Sequence, residues 1–269
     1  MNVDIMIGKE IGNGGTSNVY EYGDNAVIKI YKPHISDGVI HNEKYIGELL
    51  NKTSLDIPKL IGSIDLNGKK ALIYERVEGK VLADPLLNGC YKTEMGYLYA
   101  KLHIDIHKKS IIELPSHYDF LKNRILELEN ISKEKRELLL DLLDSFPKDN
   151  KLCHGDYQPL NILNSNGKYI VIDWNGACSG NPIFDVAWSY MTLNSPVVSH
   201  LLGEKVAELF TNFNNDYINN YCTLAGISKD LILMCMPIVA TRRLYDNNQN
   251  DNEISRRERD WLYNFIQNM

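Results

Sequence analysis

The chain has 269 residues, 44% of them hydrophobic, and a formal charge of −6 from 29 basic and 35 acidic side chains. That length and apolar content allow one large domain or two lobes, while the mild acidity and the lack of a long basic run argue against a nucleic-acid partner. The five cysteines (Cys90, Cys153, Cys178, Cys222 and Cys235) are scattered, odd in number and without a CxxC pair, so the sequence supports neither a zinc site nor a disulfide framework. The opening "MNVDIMIGKEIGNGG" lacks the basic and apolar regions of a secretory signal. The longest strongly apolar run, "LILMCMPIVA", falls well short of the ~20 residues a membrane span needs. A cytoplasmic protein with no membrane partner, monomeric or homodimeric, is expected.

In chain order, "DIMIGKEIG" and "NVYEYG" read as strands around a Gly-rich turn, and "GDN" punctuates before a third strand, "AVIKIYK". From Ser36 to Lys52, a Ser start and apolar Ile40, Ile46, Leu49 and Leu50 predict a helix. "DIPKLIGSIDLNGKKALIYERV" returns to strands, with "LNGK" as the turn. After "VEG" the pattern becomes helical over 92–109, 117–145 and 202–225, interrupted by "LCHGDYQPLNILN" (152–164) and "YIVIDWNGACSG" (169–180). The expected fold is therefore α+β: a strand-rich lobe over 1–76, a mostly helical lobe over 77–269, and a cleft between them.

Three features could carry chemistry. In "IGNGGTSNVYEY", Gly12, Gly14 and Gly15 would let backbone N–H groups approach a phosphate, although taken alone they are better explained by a plain hairpin turn. The stretch is neither a P-loop nor a dinucleotide fingerprint, because no helix follows it. Lys29 interrupts the apolar run of its strand and alternates with Val27 and Tyr31. Such a lysine needs an anionic partner unless it is solvated. Glu43 is preferred over Glu48 because Ile46 and Leu50 follow it at core-facing helical spacing. In the third feature, Pro159 keeps the chain out of helix between Asp156 and Asn161. "NIL", the turn "NSNG" and "KYIVIDW" then form a hairpin that brings Asn161 near Asp173. An amide oxygen and a carboxylate are hard ligands suited to Mg²⁺, which leaves Asp156 to accept a proton. Asx-type turn caps would explain one or two of these residues, but not the whole series.

"HGDYQPLN" followed by "VIDW" resembles the catalytic and metal-binding signature of the aminoglycoside phosphotransferase/choline kinase-like family, which has a protein-kinase-like fold. The resemblance extends to "IGNGGTSNVY", "VIK", "LIYERVEG", "LYAKLH" and "GNPIFDVAW". It implies a two-lobed kinase fold and transfer of the γ-phosphoryl group of ATP or GTP, with Mg²⁺, to a hydroxyl of a small molecule. It also implies roles. Gly12, Gly14 and Ser17 would line the nucleotide loop, although Ser17 stands where protein kinases have a third glycine. Lys29 would hold the α- and β-phosphates and pair with Glu43. The backbone at Glu75 and Val77 would meet the adenine edge. Asp156 would be the catalytic base, Asn161 and Asp173 would hold the metal, and His154 and Asp185 would brace the catalytic loop.

The chain has no "DFG" or "APE", and little sequence separates Asp173 from Asp185, which disfavours a peptide acceptor. Aminoglycosides, with possible antibiotic resistance, choline, homoserine, sugars and macrolides stay open as acceptors. A protein kinase and a nucleotide-binding pseudokinase are the rival readings, and intact Lys29, Asp156, Asn161 and Asp173 argue against the second. For the acceptor, acidic residues of 242–261 (Asp246, Asp251, Glu253, Glu258, Asp260) could meet ammonium groups, or the segment is a solvated loop followed by a helix. Trp188 and Trp261 could face a choline-like cation or pack in the core, and Tyr157 and Gln158 could touch the acceptor.

Overall fold

The computed structural model describes residues 7–247 and 252–269. Residues 4–6 of the predicted first strand and Asp251 of the acidic segment lie outside them. Strands β1 (Ile7–Asn13), β2 (Ser17–Tyr22) and β3 (Ala26–Tyr31) precede helix α1 (Asp37–Leu50), followed by β4 (Leu60–Leu66), β5 (Lys69–Glu75) and β6 (Lys80–Val81). Helices α2 (Asp84–Leu87), α3 (Glu94–His107), α4 (His117–Glu127) and α5 (Lys133–Ser145) lead to strand β7 (Lys151–Cys153). A single 3₁₀ turn at Pro159–Asn161 opens into β8 (Ile162–Ser165), β9 (Lys168–Val171) and β10 (Cys178–Gly180). The chain ends in α6 (Pro182–Leu193), α7 (Pro196–Leu202), α8 (Glu204–Ala225), α9 (Lys229–Met234), α10 (Met236–Asn247) and α11 (Glu253–Gln267).

Two compact units result. The first is the chain up to Leu82 together with Leu160–Gly176, and the second is Ala83–Pro159 with the chain from Ala177 onward. The first holds an antiparallel sheet in the order β1-β2-β3-β5-β4. β-Branched and aromatic residues suit these strands. The β4–β5 reversal is a two-residue loop, Asn67 (φ 54°) and Gly68 (φ 83°), both in the left-handed region that such hairpins require. One face of the sheet buries Ile28, Ala71 and Ile73. On the other, Tyr31, Leu60 and Leu72 pack with Ile40 of α1. The same unit includes a small sheet, β6-β8-β9, registered by Lys80↔Asn164 and Ile162↔Val171.

The second unit is mostly helical, with a two-stranded ribbon of β7 and β10. Helix α3 lies against α8, and Gly96 makes that approach possible: a Cβ there would meet Asp216 Cβ at 2.6 Å and Tyr217 N at 3.0 Å. The helix predicted over 117–145 is two helices. The stretch after Glu127 breaks it, with Asn130 at φ 64° and Ser132 capping the second helix by accepting from Lys135 N–H. The proposed solvated loop at the start of 242–261 is instead the last turns of α10, where Arg242 is buried.

Candidate active site

In the first unit, Lys29 lies on β3 between β2 and β5, with Val19 and Leu72 as its register partners. Its Nζ donates to Glu43 Oε1 at 2.7 Å and to Asp173 Oδ1 at 3.2 Å. Glu43 occupies the buried stripe of α1 with Ile40, Ile46 and Leu50, and it also accepts from the Tyr74 hydroxyl at 3.2 Å. Glu48 instead faces Lys44 at 3.9 Å on the exposed side. Burial works against the Lys29 ammonium, but Glu43 and Asp173 outweigh it and hold the Lys29 pKa above its ordinary value. Asp173 sits at φ 61°, a left-handed conformation uncommon for a residue with a side chain, and its carboxylate is 41% exposed. One ammonium among two carboxylates leaves a formal charge of about −1 at this place.

The β8–β9 hairpin explains why Asn161 and Asp173 adjoin. Ile162 pairs with Val171, and the Asn161 carbonyl accepts from Ile172 N–H at 2.9 Å, one residue before Asp173. Asn161 is largely buried, so the two supply hard oxygen atoms, with the exposed carboxylate open to solvent.

The β1–β2 loop closes through Gly14 N–H donating to Ser17 O at 2.9 Å, and Lys32 Nζ donates to Gly14 O at 2.6 Å. Ser17 is buried and Gly12 packs over Val19. A Cβ at Gly15 would meet nothing within 4 Å, so the loop's own packing gives no reason for the absent side chain there. Glu75 gives its N–H to Lys59 O at 2.9 Å, so only its carbonyl can serve a ligand edge; Val77 follows just beyond β5.

In the second unit, Asp156 follows β7. Its Oδ2 accepts from Gln158 Nε2 at 3.0 Å and its Oδ1 from Trp188 Nε1 at 3.2 Å, while its N–H donates to His154 Nδ1 at 3.2 Å. Arg242 stacks 3.7 Å from the Trp188 ring and donates to Gly155 O at 2.7 Å. Asp185 is fully buried and accepts from His154 N–H (2.7 Å), Gly155 N–H (2.8 Å), His103 Nε2 (3.0 Å) and His107 Nε2 (3.2 Å). Burial alone would raise its carboxyl; the two imidazoles hold it well below the usual carboxylate range. The far nitrogens of the two histidines meet Tyr217 OH at 2.9 Å and Tyr221 OH at 2.7 Å. Burial, with His107 beside it, pushes the His103 pKa down to about 3, so the ring is neutral.

The structure thus gathers Lys29, Glu43, Asp173 and Asn161 in one unit, and His154, Asp156 and Asp185 in the other. His103, His107 and Arg242 escaped the sequence reading. The signal for the histidines was available: they stand four residues apart on one helix face in "LHIDIH". Tyr157 is no acceptor contact, being fully buried, stacked on Tyr99 and donating to Tyr99 O at 2.8 Å. Trp188 has the Arg242 guanidinium over it, and Trp261 packs edge-on against Phe265.

The chain as a whole is similar to known proteins. The model of a phosphotransferase enzyme family matches residues 8–217. A protein LicA homolog from Mycoplasma capricolum subsp. capricolum is 25% identical over 211 residues, covering 77% of this chain and 79% of that protein. A choline/ethanolamine kinase family protein from Mesorhizobium loti superposes with a TM-score of 0.59 at 11% identity, over 97% of this chain and 86% of its own. The GDP and kanamycin complex of APH(2")-IIia gives 0.54 at 15% identity, over 99% of this chain and 92% of its own. At such identities the likeness to these two structures is one of fold.

Proposed function

Since the chain belongs to the phosphotransferase enzyme family, we propose that it moves the γ-phosphoryl group of ATP or GTP to a hydroxyl of a small molecule. The observation that carries this reading is the Lys29 ammonium held between Glu43 and Asp173, with Asn161 at the neighbouring strand end. Phosphoryl transfer needs alignment and charge neutralisation more than covalent help. Lys29, oriented by Glu43, binds the α- and β-phosphates, and the bare β1–β2 loop lets backbone N–H groups approach them. The Glu75 carbonyl and the Val77 backbone meet the base. Asn161 and Asp173 hold Mg²⁺, which when bound neutralises charge on the phosphate oxygens. Asp156, fixed by Trp188 and Gln158, takes the proton of the acceptor hydroxyl as that oxygen joins phosphorus and the nucleoside diphosphate departs. His154 and Asp185 brace this loop.

A small acceptor is favoured over a protein because the residues after Asp173 form a short 3₁₀ turn and then the buried strand β10, not a peptide platform. Two acids of the C-terminal segment are already paired. Glu258 is buried against Arg243 at 2.7 Å, and Glu253 pairs with Arg257 at 2.7 Å. Choline, ethanolamine, homoserine and sugars stand as candidate acceptors beside aminoglycosides and macrolides.

Diphosphate release from ATP and from GTP, measured across a panel of these alcohols, aminoglycosides and macrolides, tests the reading. One acceptor should raise release at least about tenfold. Failure of every acceptor, together with absent nucleotide binding, would remove it.

A further inference from the structure

The described residues hold two buried groups of metal-ligating side chains, and hydrogen bonding separates them. His103, His107 and Asp185 satisfy one another and the tyrosines beyond. In the second group the Cys153 thiol reaches Lys151 O at 3.7 Å and the Cys178 thiol lies against both the Cys153 thiol and the His117 ring, while neither ring nitrogen of His117, itself 1% exposed, has a partner in hydrogen-bond geometry. An unmet imidazole at such burial is costly. Its neighbours are two thiols, and the ligand atoms of all three residues lie within 4.8 Å of one another.

We propose that His117, Cys153 and Cys178 form a zinc site. The placement is built into the backbone. Cys153 and Cys178 face each other across the β7–β10 ribbon. The start of α4 is bridged to the same ribbon by Ser116↔Ser179 and by Ser179 N–H donating to Pro115 O at 2.8 Å, which sets His117 beside Cys178. Gly180 is required there, because any side chain on it would collide with His117 Cβ. Two sulfurs and one imidazole nitrogen suit Zn²⁺, whose bonds of ~2.3 Å to sulfur and ~2.0 Å to nitrogen place tetrahedral ligands about 3.4–3.8 Å apart. One ring nitrogen takes the ion, so the unmet demand of His117 falls from two atoms to one. A cavity of about 230 Å³ is lined by Ser116 and Ser179, the chain neighbours of His117 and Cys178, on the side from which an ion would approach. The ion would fasten the strand that runs directly into His154 and Asp156.

Protein purified under reducing conditions, equilibrated with Zn²⁺ and stripped of loose metal should hold about one zinc per chain by mass spectrometry. Cys153→Ser, Cys178→Ser and His117→Asn should each lower that content at least about tenfold. Competition between the unmutated chain and a chromophoric chelator reads the same site even where a variant fails to fold. Replacement by Co²⁺ should show a thiolate-to-metal absorption band. No stoichiometric zinc in the unmutated chain, zinc that persists in the double Cys153→Ser/Cys178→Ser variant, or isolation of a metal-free Cys153–Cys178 disulfide would each overturn the proposal.

Discussion

Asp173 holds a backbone conformation that its side chain disfavours. A non-glycine residue in the left-handed region commonly costs about 1–3 kcal/mol, and Asp173 keeps that place while directing a carboxylate at Lys29. Asp173→Asn retains a residue tolerant of that backbone and removes the charge. It should raise the Mg²⁺ concentration for half-saturation of nucleotide binding at least about tenfold while leaving thermal stability nearly unchanged. An unaltered magnesium dependence in calorimetric titrations would count against Asp173 as a ligand. Lys29 and Glu43 were legible because each is a charge set in an apolar pattern. Arg242 was not, because its partners, Trp188 and Gly155, are far from it in the chain.

At the scale of elements, the α3–α8 pair carries two expectations. Gly96→Ala inserts a methyl group where Asp216 and Tyr217 already stand, and overpacking of this kind costs about 1–3 kcal/mol; a lower urea midpoint checks it. The histidine ladder makes stability depend on pH. The folded pKa of His103 is about 3, against about 6.5 in an unfolded chain. The unfolded state therefore takes up the proton first as pH falls. This contribution is whole above about 6.5 and is lost progressively toward pH 3, at up to about 1.4 kcal/mol per pH unit. Asp185, whose pKa is also depressed, acts in the same direction at lower pH. His103→Gln should flatten the decline in urea midpoint between pH 7.5 and 5, and an equally steep decline would show that another group is responsible. Periodicity located α1, α3 and α8, because each has a clear apolar stripe. It merged α4 with α5, because a left-handed Asn130 leaves no hydrophobic signature.

For the whole molecule, the change from strand-rich to helix-rich chain gave the α+β class, and the family-like motifs gave the kinase fold. That Leu160–Gly176 packs with the first unit depends on the pairing of Lys80 with Asn164, a long-range contact to which local pattern is blind. The described residues contain no helix long and apolar enough to cross a membrane. The division of labour proposed here assigns nucleotide and metal to Lys29, Asn161 and Asp173, and the acceptor proton to Asp156. Nucleotide binding and phosphoryl transfer measured side by side for Asp156→Ala test that division most directly. Affinity for Mg²⁺-nucleotide should stay within about twofold of the unmutated chain while turnover falls about 10²–10⁴-fold. Turnover that survives the substitution, or nucleotide affinity that disappears with it, would contradict the account.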